Sequence, residues 1–268
     1  SELSLGTEWA LVPPEVGAIA RRLRDRHPSL ERFLNRKPFM GVKTGDNRSF
    51  FLSDEEIQRF RVPATALARC VRGRDLRRWT VGESQWMLWP PRKGWPQAPK
   101  WLQKLAEARG MAPADFRLSF VRPEHVGIKV AWKDLSRGMA AAVLPDEVHV
   151  GDEPYPLVPN QTLYAIDAVT LDEAYVIAAV LNSTIAGALL LCSAERAKDA
   201  HYRYFGRTVG ALPFPDPGPE WERLVRASRR AHRGINVDVD EMVARLYGVA
   251  EDELRLLRDF VERRLGAR

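Results

Sequence analysis

The chain has 268 residues, 45% of them hydrophobic and 28% charged, which excludes a disordered segment and allows one large domain or a domain with a smaller appendage. A net charge of +6 and a pI near 9.5 point to an anionic partner. Two cysteines, Cys70 and Cys192, stand far apart in apolar settings; they exclude a disulfide framework and a cysteine metal site and fit a reducing, cytoplasmic compartment.

No signal peptide is read at the start, and because Ser1 stands where a methionine would, the chain is expected to be an excised piece of a longer protein or a separate subunit. "PEVGAIARRLRDRH" (14–27) predicts a helix, with Pro14 in its first turn, Val16, Ile19, Ala20 and Leu23 as an apolar stripe, and four arginines opposite. "KPFMGV" and "SFFL" read as strands flanking "GVKTGDNRSFF" (41–51), whose plainest reading is a hairpin turn with glycines at positive φ. "SDEE" (53–56) is a capping box opening a helix to about Phe60. "ARCVRGRDLRRW" (68–79) reads as an arginine-rich turn around Gly73, "QWMLWP" (85–90) as a short strand, and "APKWLQKLAEARG" (98–110) as a helix closed by Gly110.

From 116 to 167 the pattern is β-like, with strands predicted in "FRLSFVR", "GIKVAWKD", "AAAVLP" and "QTLYAID". "TLDE" (170–173) is a second capping box, opening an apolar run that Asn182, Ser183 and Thr184 interrupt; it is too short and polar for a membrane span and reads as a buried helix. Residues 213–219 form a proline-rich linker, and three helical segments follow. The expected fold is α+β: mixed, mainly antiparallel short strands with packed helices, then a C-terminal helical segment. The expected division is a body at 1–215 and a helical appendage at 216–268.

Catalytic motifs are missing. There is no GxxxxGK[ST], GxGxxG, HExxH or GxSxG, the five histidines sit in unrelated contexts, and "PDEVHV" (145–150) resembles a nuclease start with no ExK after it. No catalytic residue and no metal ligand is assigned.

Five blocks in order, "GVKTGDNRSFFL", "VRGRDLRRW", "WLQKLAEAR", "VIAAVLNSTIAGALL" and "YFGRTVGALPFPDP", resemble the TaqI-like C-terminal specificity domain of N6-adenine DNA methyltransferases and fused restriction–modification enzymes. The likeness runs over residues 8–265 and includes the helical tail. It implies a module that reads double-stranded DNA, while a separate Rossmann-like domain, in cis or in trans, binds S-adenosylmethionine and carries (N/D)PP(Y/F). "VPPE" (12–15) and "WPPR" (89–92) lack the amide or acid and the aromatic that hold a flipped adenine, so this chain is expected to bind no cofactor and to transfer no methyl group by itself.

Under the resemblance, Lys43 and Arg48 reach phosphates or a guanine edge, Asn47 pairs with adenine, and Thr44 touches a base or phosphate. The alternative is a folding role, with Gly41 and Gly45 shaping the turn and Phe50 in the core. Arg72, Arg74, Arg77 and Arg78 are a candidate phosphate clamp, or else a solvated turn paired with Asp75. Arg203 and Arg207 stand among Tyr202, Tyr204 and Phe205, as in a nucleic-acid groove or as core aromatics with flanking charges. Asn182 is expected to bond the backbone, and Trp86, Trp89, Trp95, Trp101 and Trp132 to pack. Two further readings stay open: an RNA-binding accessory domain and a protein-docking scaffold.

Overall fold

The computed structural model describes residues 12–91, 94–118 and 121–266. Helix α1 (Pro14–Arg26) starts on Pro14 and buries Val16, Ile19, Ala20 and Leu23. Ser29 caps the short α2 (Leu30–Leu34). Strand β1 (Phe39–Met40) is followed by the one-turn α3 (Asn47–Phe50), capped by Asp46, and by β2 (Phe51–Leu52). The strand predicted in "SFFL" therefore occupies only its second half. Ser53 and Glu56 form the capping box of α4 (Asp54–Phe60) as the sequence predicts. Next come β3 (Leu67–Val71), β4 (Gln85–Leu88) and α5 (Lys100–Arg109), which Gly110 ends in the left-handed region. The segment predicted as a turn at 68–79 is thus a strand up to Val71.

Strand β5 (Lys129–Lys133) precedes the short β6 (Leu135–Ser136), then β7 (Ala141–Leu144), β8 (Glu147–Val150), β9 (Glu153–Pro159) and β10 (Leu163–Asp167). "FRLSFVR" forms no strand at its described residues, and its Ser119 and Phe120 lie outside them. Helices α6 (Leu171–Leu181) and α7 (Thr184–Leu191) are followed by β11 (Glu195–Arg196), β12 (Tyr202–Arg203), α8 (Gly206–Gly210), α9 (Trp221–Ala231), α10 (Asp240–Tyr247) and α11 (Glu251–Gly266). The class is α+β.

Three sheets result. A four-stranded antiparallel sheet runs β1-β10-β5-β7, a five-stranded sheet β2-β4-β3-β9-β8, and a small one β11-β12-β6. Among the described strands only β3 and β9 pair in parallel, and a single parallel bridge joins Val42 to Asn160. The hairpin predicted around residues 41–51 is not formed, because β1 pairs with β10 and β2 with β4, in different sheets. The sequence hides β9 behind Pro154, Pro156 and Pro159. Leu157 N donates to Asp146 O on the β8 side, so residues 154 and 156, one position out of phase, direct their missing N–H toward β3, where pairing starts only at Leu157.

The largest core joins α1, α6, α7 and the helices after residue 216 to one face of the four-stranded sheet. Arg22 of α1 holds Glu253 of α11 with two bonds of 2.6 and 2.7 Å. Residues on both sides of the 215/216 boundary share this core. Helices α6 and α7 are bent by 60°; Ser183 caps the second of them. Among the described residues no single helix is long and apolar enough to cross a membrane. The second predicted capping box is half formed: Thr170 accepts from Glu173 N, but the Glu173 carboxylate takes Val169 N and Arg36 instead.

The edge strand β7 is closed by side chains. Asn182 Oδ1 accepts from Ala141 N at 2.9 Å, and Asn182 Nδ2 donates to Ala141 O at 2.8 Å, which is the backbone role predicted for it. His232 Nε2 accepts from Val143 N at 3.0 Å while Nδ1–H donates to Ser228 O, and burial keeps this imidazole below its ordinary pKa and neutral. Both edge N–H groups, of Ala141 and Val143, are thereby satisfied.

Lys129 is fully buried where the two large sheets meet, and its Nζ donates to Leu157 O at 2.8 Å. Burial pushes its pKa down to about 7. Unfolded lysine titrates near ~10.4, so between these values the unfolded chain binds the extra proton and stability rises with pH. In urea titrations, the stability of wild type relative to Lys129→Met is expected to grow in favour of wild type from pH 7 toward pH 10. A difference independent of pH would show that Lys129 stays charged in the fold.

Candidate nucleic-acid interface

The tight link between β9 and β10, residues 159–162, fastens two loops. Val42 N donates to Pro159 O at 2.7 Å and Gln161 N to Val42 O at 3.0 Å. Asn160 N donates to Val71 O at 2.8 Å, and Gly73 N to Thr162 Oγ1 at 2.8 Å. Asn160 is buried, and its Oδ1 accepts from Thr162 N at 3.2 Å. The first loop approaches so closely that a Cβ on Gly41 would lie 2.3 Å from Asn160 O and 2.5 Å from Pro159 O. Gly41 is therefore required for space, whereas Gly45, at φ +75°, is required for conformation.

Beyond Gly41 the loop is organised by its own polar groups. Thr44 is buried, and its hydroxyl donates to Asn47 Oδ1 at 2.7 Å. Asp46 accepts from Arg48 N at 3.0 Å and from the Ser49 hydroxyl; these bonds, with the nearby Arg48 charge, hold its pKa below the usual carboxylate range. Phe50 fills the core against Phe116. Arg109, the last residue of α5, binds the carbonyls of Arg48, Ser49 and Phe51 and meets Glu56 Oε1 at 2.7 Å. The guanidinium of this last helical residue is thus the clamp on the C-terminal end of α3. Lys43, Asn47 and Arg48 are left exposed, and neither Lys43 nor Arg48 has an ion-pair partner among the described residues.

The second loop opens into a groove of about 690 Å³ whose lining includes Arg72, Arg74, Lys133, Gln161, Thr162 and Arg203. Arg72 is mostly buried, 5.3 Å from the Phe51 ring and 3.6 Å from Asp75. Arg74 is two-thirds exposed, 3.7 Å from the same carboxylate. Arg77 donates to Arg74 O, and its charge adds to burial in lowering the Lys133 pKa, so the two cations are near neighbours. Arg203 meets Asp134 at 2.9 Å. Five cationic side chains thus share this face with two carboxylates, Asp75 and Asp134.

Three sequence candidates depart from it. Arg78 donates to Asn182 O at 2.6 Å, tying the loop to the helical core. Arg207 lies 4.9 Å from the Phe205 ring and lines a separate cavity. Thr44 points inward. Tyr202 and Tyr204 are core residues, and Tyr204 O accepts from the fully buried Trp132 Nε1 at 2.8 Å. Lys133 and Gln161 were not singled out in the sequence; Lys133 lies at the end of a predicted strand, and only the pairing of β5 with β10 brings it beside Arg72 and Arg203.

The two double prolines have different surroundings. Pro13 and Pro14 start α1, while Trp89, Pro90 and Pro91 line a shallow hollow with Thr65, Pro123 and Val126.

No protein-family model and no curated protein matches the chain. Among solved structures it is similar to the type IIG restriction endonuclease BpuSI, at 13% identity over 93% of this chain and 33% of that one, with a TM-score of 0.61. It is also similar to the type IIL restriction-modification enzyme MmeI, solved in complex with DNA, at 15% identity over 87% of this chain and 32% of that one, with a TM-score of 0.52. The chain spans about a third of the length of each. At these identities the likeness shows the fold: it is one present in restriction–modification enzymes.

Gly41→Ala forces β1 off the 159–162 link and is expected to cost about 1–3 kcal/mol, as overpacking against backbone does. Gly73→Ala, where a Cβ would meet Thr162 Oγ1 at 3.1 Å, is expected to cost less. Chemical denaturation of the two variants checks the order, and equal, small losses would show that the link yields freely.

Proposed function

We propose that this chain is the double-stranded-DNA target-recognition module of a site-specific adenine DNA methyltransferase belonging to a restriction–modification enzyme. The methyl-transfer domain, with its S-adenosylmethionine, lies outside this chain, in cis or in trans. The single observation that carries the reading is the convergence of the two sequence blocks, 41–51 and 72–79, on the 159–162 link, which sets an unpaired basic loop beside a basic groove. The fold likeness to two restriction–modification enzymes supports it, as does the order of the motif blocks.

In this reading Arg74, Arg77, Lys133 and Arg203 grip phosphates, with Arg72 as the buried support of the groove floor. Phosphate contacts set orientation and register without reading sequence. Lys43, Asn47 and Arg48 sit on the loop fastened through Val42 and reach base edges. Asn47 Oδ1, held by the Thr44 hydroxyl, keeps a second lone pair for an adenine amino group while Nδ2–H donates to a ring nitrogen. Thr44 thus acts by orienting Asn47. Arg109 acts likewise on the backbone that carries Arg48.

The test is salt dependence. Log K for duplex DNA is expected to fall with log salt by about 0.9 per phosphate neutralised, with affinity on the order of 10⁻⁴ to 10⁻⁶ M for a module without its catalytic domain. Arg74→Ala with Arg77→Ala is expected to flatten the slope by roughly one unit for each phosphate no longer held and to weaken all sequences alike. Asn47→Ala is expected to discriminate among sequences. Folded arginine variants with an unchanged slope would remove the groove from the interface. Preference for structured RNA over duplex in competition would move the reading to an RNA-binding accessory domain, and no binding to either would move it to a protein-docking scaffold.

A second measurement addresses the missing chemistry. Incubation of the chain with labelled S-adenosylmethionine and mixed duplex DNA is expected to leave the DNA unlabelled; incorporation by this chain alone would contradict the proposal.

A further inference from the structure

A second basic recess, of about 430 Å³, is lined in part by Phe205. Arg203, which lines the groove, and Arg207, which lines the recess, lie 5.6 and 4.9 Å from the Phe205 ring. Arg196 of β11, Arg207 of α8 and Arg264 of α11 reach the recess from three separate elements, and among the described residues Glu195 is the one carboxylate lining it. None of the three arginines has an ion-pair partner among the described residues. Arg264 Nε is buried without a hydrogen-bond partner there.

Three like charges converging on a concave, partly enclosed surface need a reason. Bringing them together is unfavourable, and a buried charged donor left unbonded costs more still. Of the three, Arg264 acts on Cys192, which lines the same recess: burial raises its thiol pKa, and Arg24 and Arg264 oppose the rise. An excess of about two positive charges matches the −1.5 to −2 carried by a phosphate monoester, and guanidinium forks fit phosphate oxygens in pairs.

We propose that this recess is a phosphate site, in which Arg196, Arg207 and Arg264 hold a phosphate group against the Phe205 wall. The site does not depend on the reading of the groove. The phosphate comes either from a nucleic-acid strand passing over Phe205 or from a small phosphorylated molecule, and the two sources are separable by experiment.

Cys192 is a built-in reporter. Cys70 is fully buried, so alkylation of the intact folded chain by iodoacetamide reports Cys192. At fixed pH and ionic strength, inorganic phosphate is expected to slow the reaction, by about tenfold when phosphate is about ten times its Kd, because only the empty fraction reacts. Arg207→Gln and Arg264→Gln are expected to abolish the slowing. Arg196→Gln, at an exposed position that folding tolerates, tests the same point should either of those variants fail to fold. Rates are compared as ratios with and without phosphate, because removing an arginine also changes the thiolate fraction. Slowing by a duplex lacking terminal phosphates assigns the site to the nucleic-acid backbone; slowing by inorganic phosphate alone assigns it to a small phosphorylated ligand. An unchanged rate in both arms, or a slowing that persists in Arg196→Gln and Arg207→Gln, overturns the proposal. The phosphate arm uses no DNA, so its result is independent of whether the groove binds a duplex.

Discussion

Four residues, 159–162, hold two sheets and two loops in one register. They end β9 in the five-stranded sheet and begin the passage into β10 of the four-stranded sheet. Their backbone takes Val42 from one side and their Thr162 hydroxyl takes Gly73 from the other. Because Gly41 packs backbone to backbone against Pro159 and Asn160, there is no side chain between the loop and the link to absorb a displacement. The exposed Lys43, Asn47 and Arg48 are consequently fixed relative to Arg74 and Arg77 by hydrogen bonds rather than by flexible packing. A recognition surface built from two distant stretches needs this kind of support, since a shift in either loop would misplace its side chains by more than a hydrogen bond tolerates.

The arginine loop is anchored at its other end as well. Trp79, with φ +73°, donates its N–H to Ala141 O at 3.0 Å and packs edge-on against His232. Arg78 reaches Asn182 O, and Asn182 itself completes the edge of β7. The helices after residue 216 thus support the groove from behind, through His232 of the α9 end and the core shared with α6 and α7. A left-handed φ at a tryptophan is a costly backbone state; here the surrounding packing maintains it at the point where the basic loop meets the helical core. The C-terminal helices are therefore coupled to the groove through His232, Trp79 and Arg78, and not merely attached by the proline-rich linker.

Local signals in the sequence reported local structure well. Pro14, Ser53 with Glu56, and Gly110 marked helix ends because each acts within a single turn. The "LNS" asparagine was legible as a backbone-bonding residue, although its partner, Ala141, was not. What stayed hidden depended on packing between distant segments. β9 looked like a loop because prolines deplete strands, and only the phase of pairing shows why these are tolerated. The 41–51 stretch suggested a hairpin because its glycines fit a turn, whereas Gly41 serves an approach to residues more than a hundred positions away. Of the site, the arginines of 72–77 and Arg203 could be named from sequence, and the structure places Arg72, Arg74 and Arg203 in one groove with Arg77 beside it. Thr44 and Arg78 could not be told from surface residues, since burial and an internal partner leave no mark in composition. Lys133 and Arg109 acquire meaning only once β5 and α5 are docked.

Hydrogen–deuterium exchange of the intact chain, with and without duplex DNA at low salt, tests most directly whether the two loops act as one surface. Peptides covering 41–51, 72–79 and 133–136 are expected to gain protection together on addition of duplex, with the solvent faces of α10 and α11 unchanged. Protection confined to the C-terminal helices, or none at either loop under conditions where the duplex is bound, would contradict the claim that the 159–162 link assembles a DNA-contacting surface.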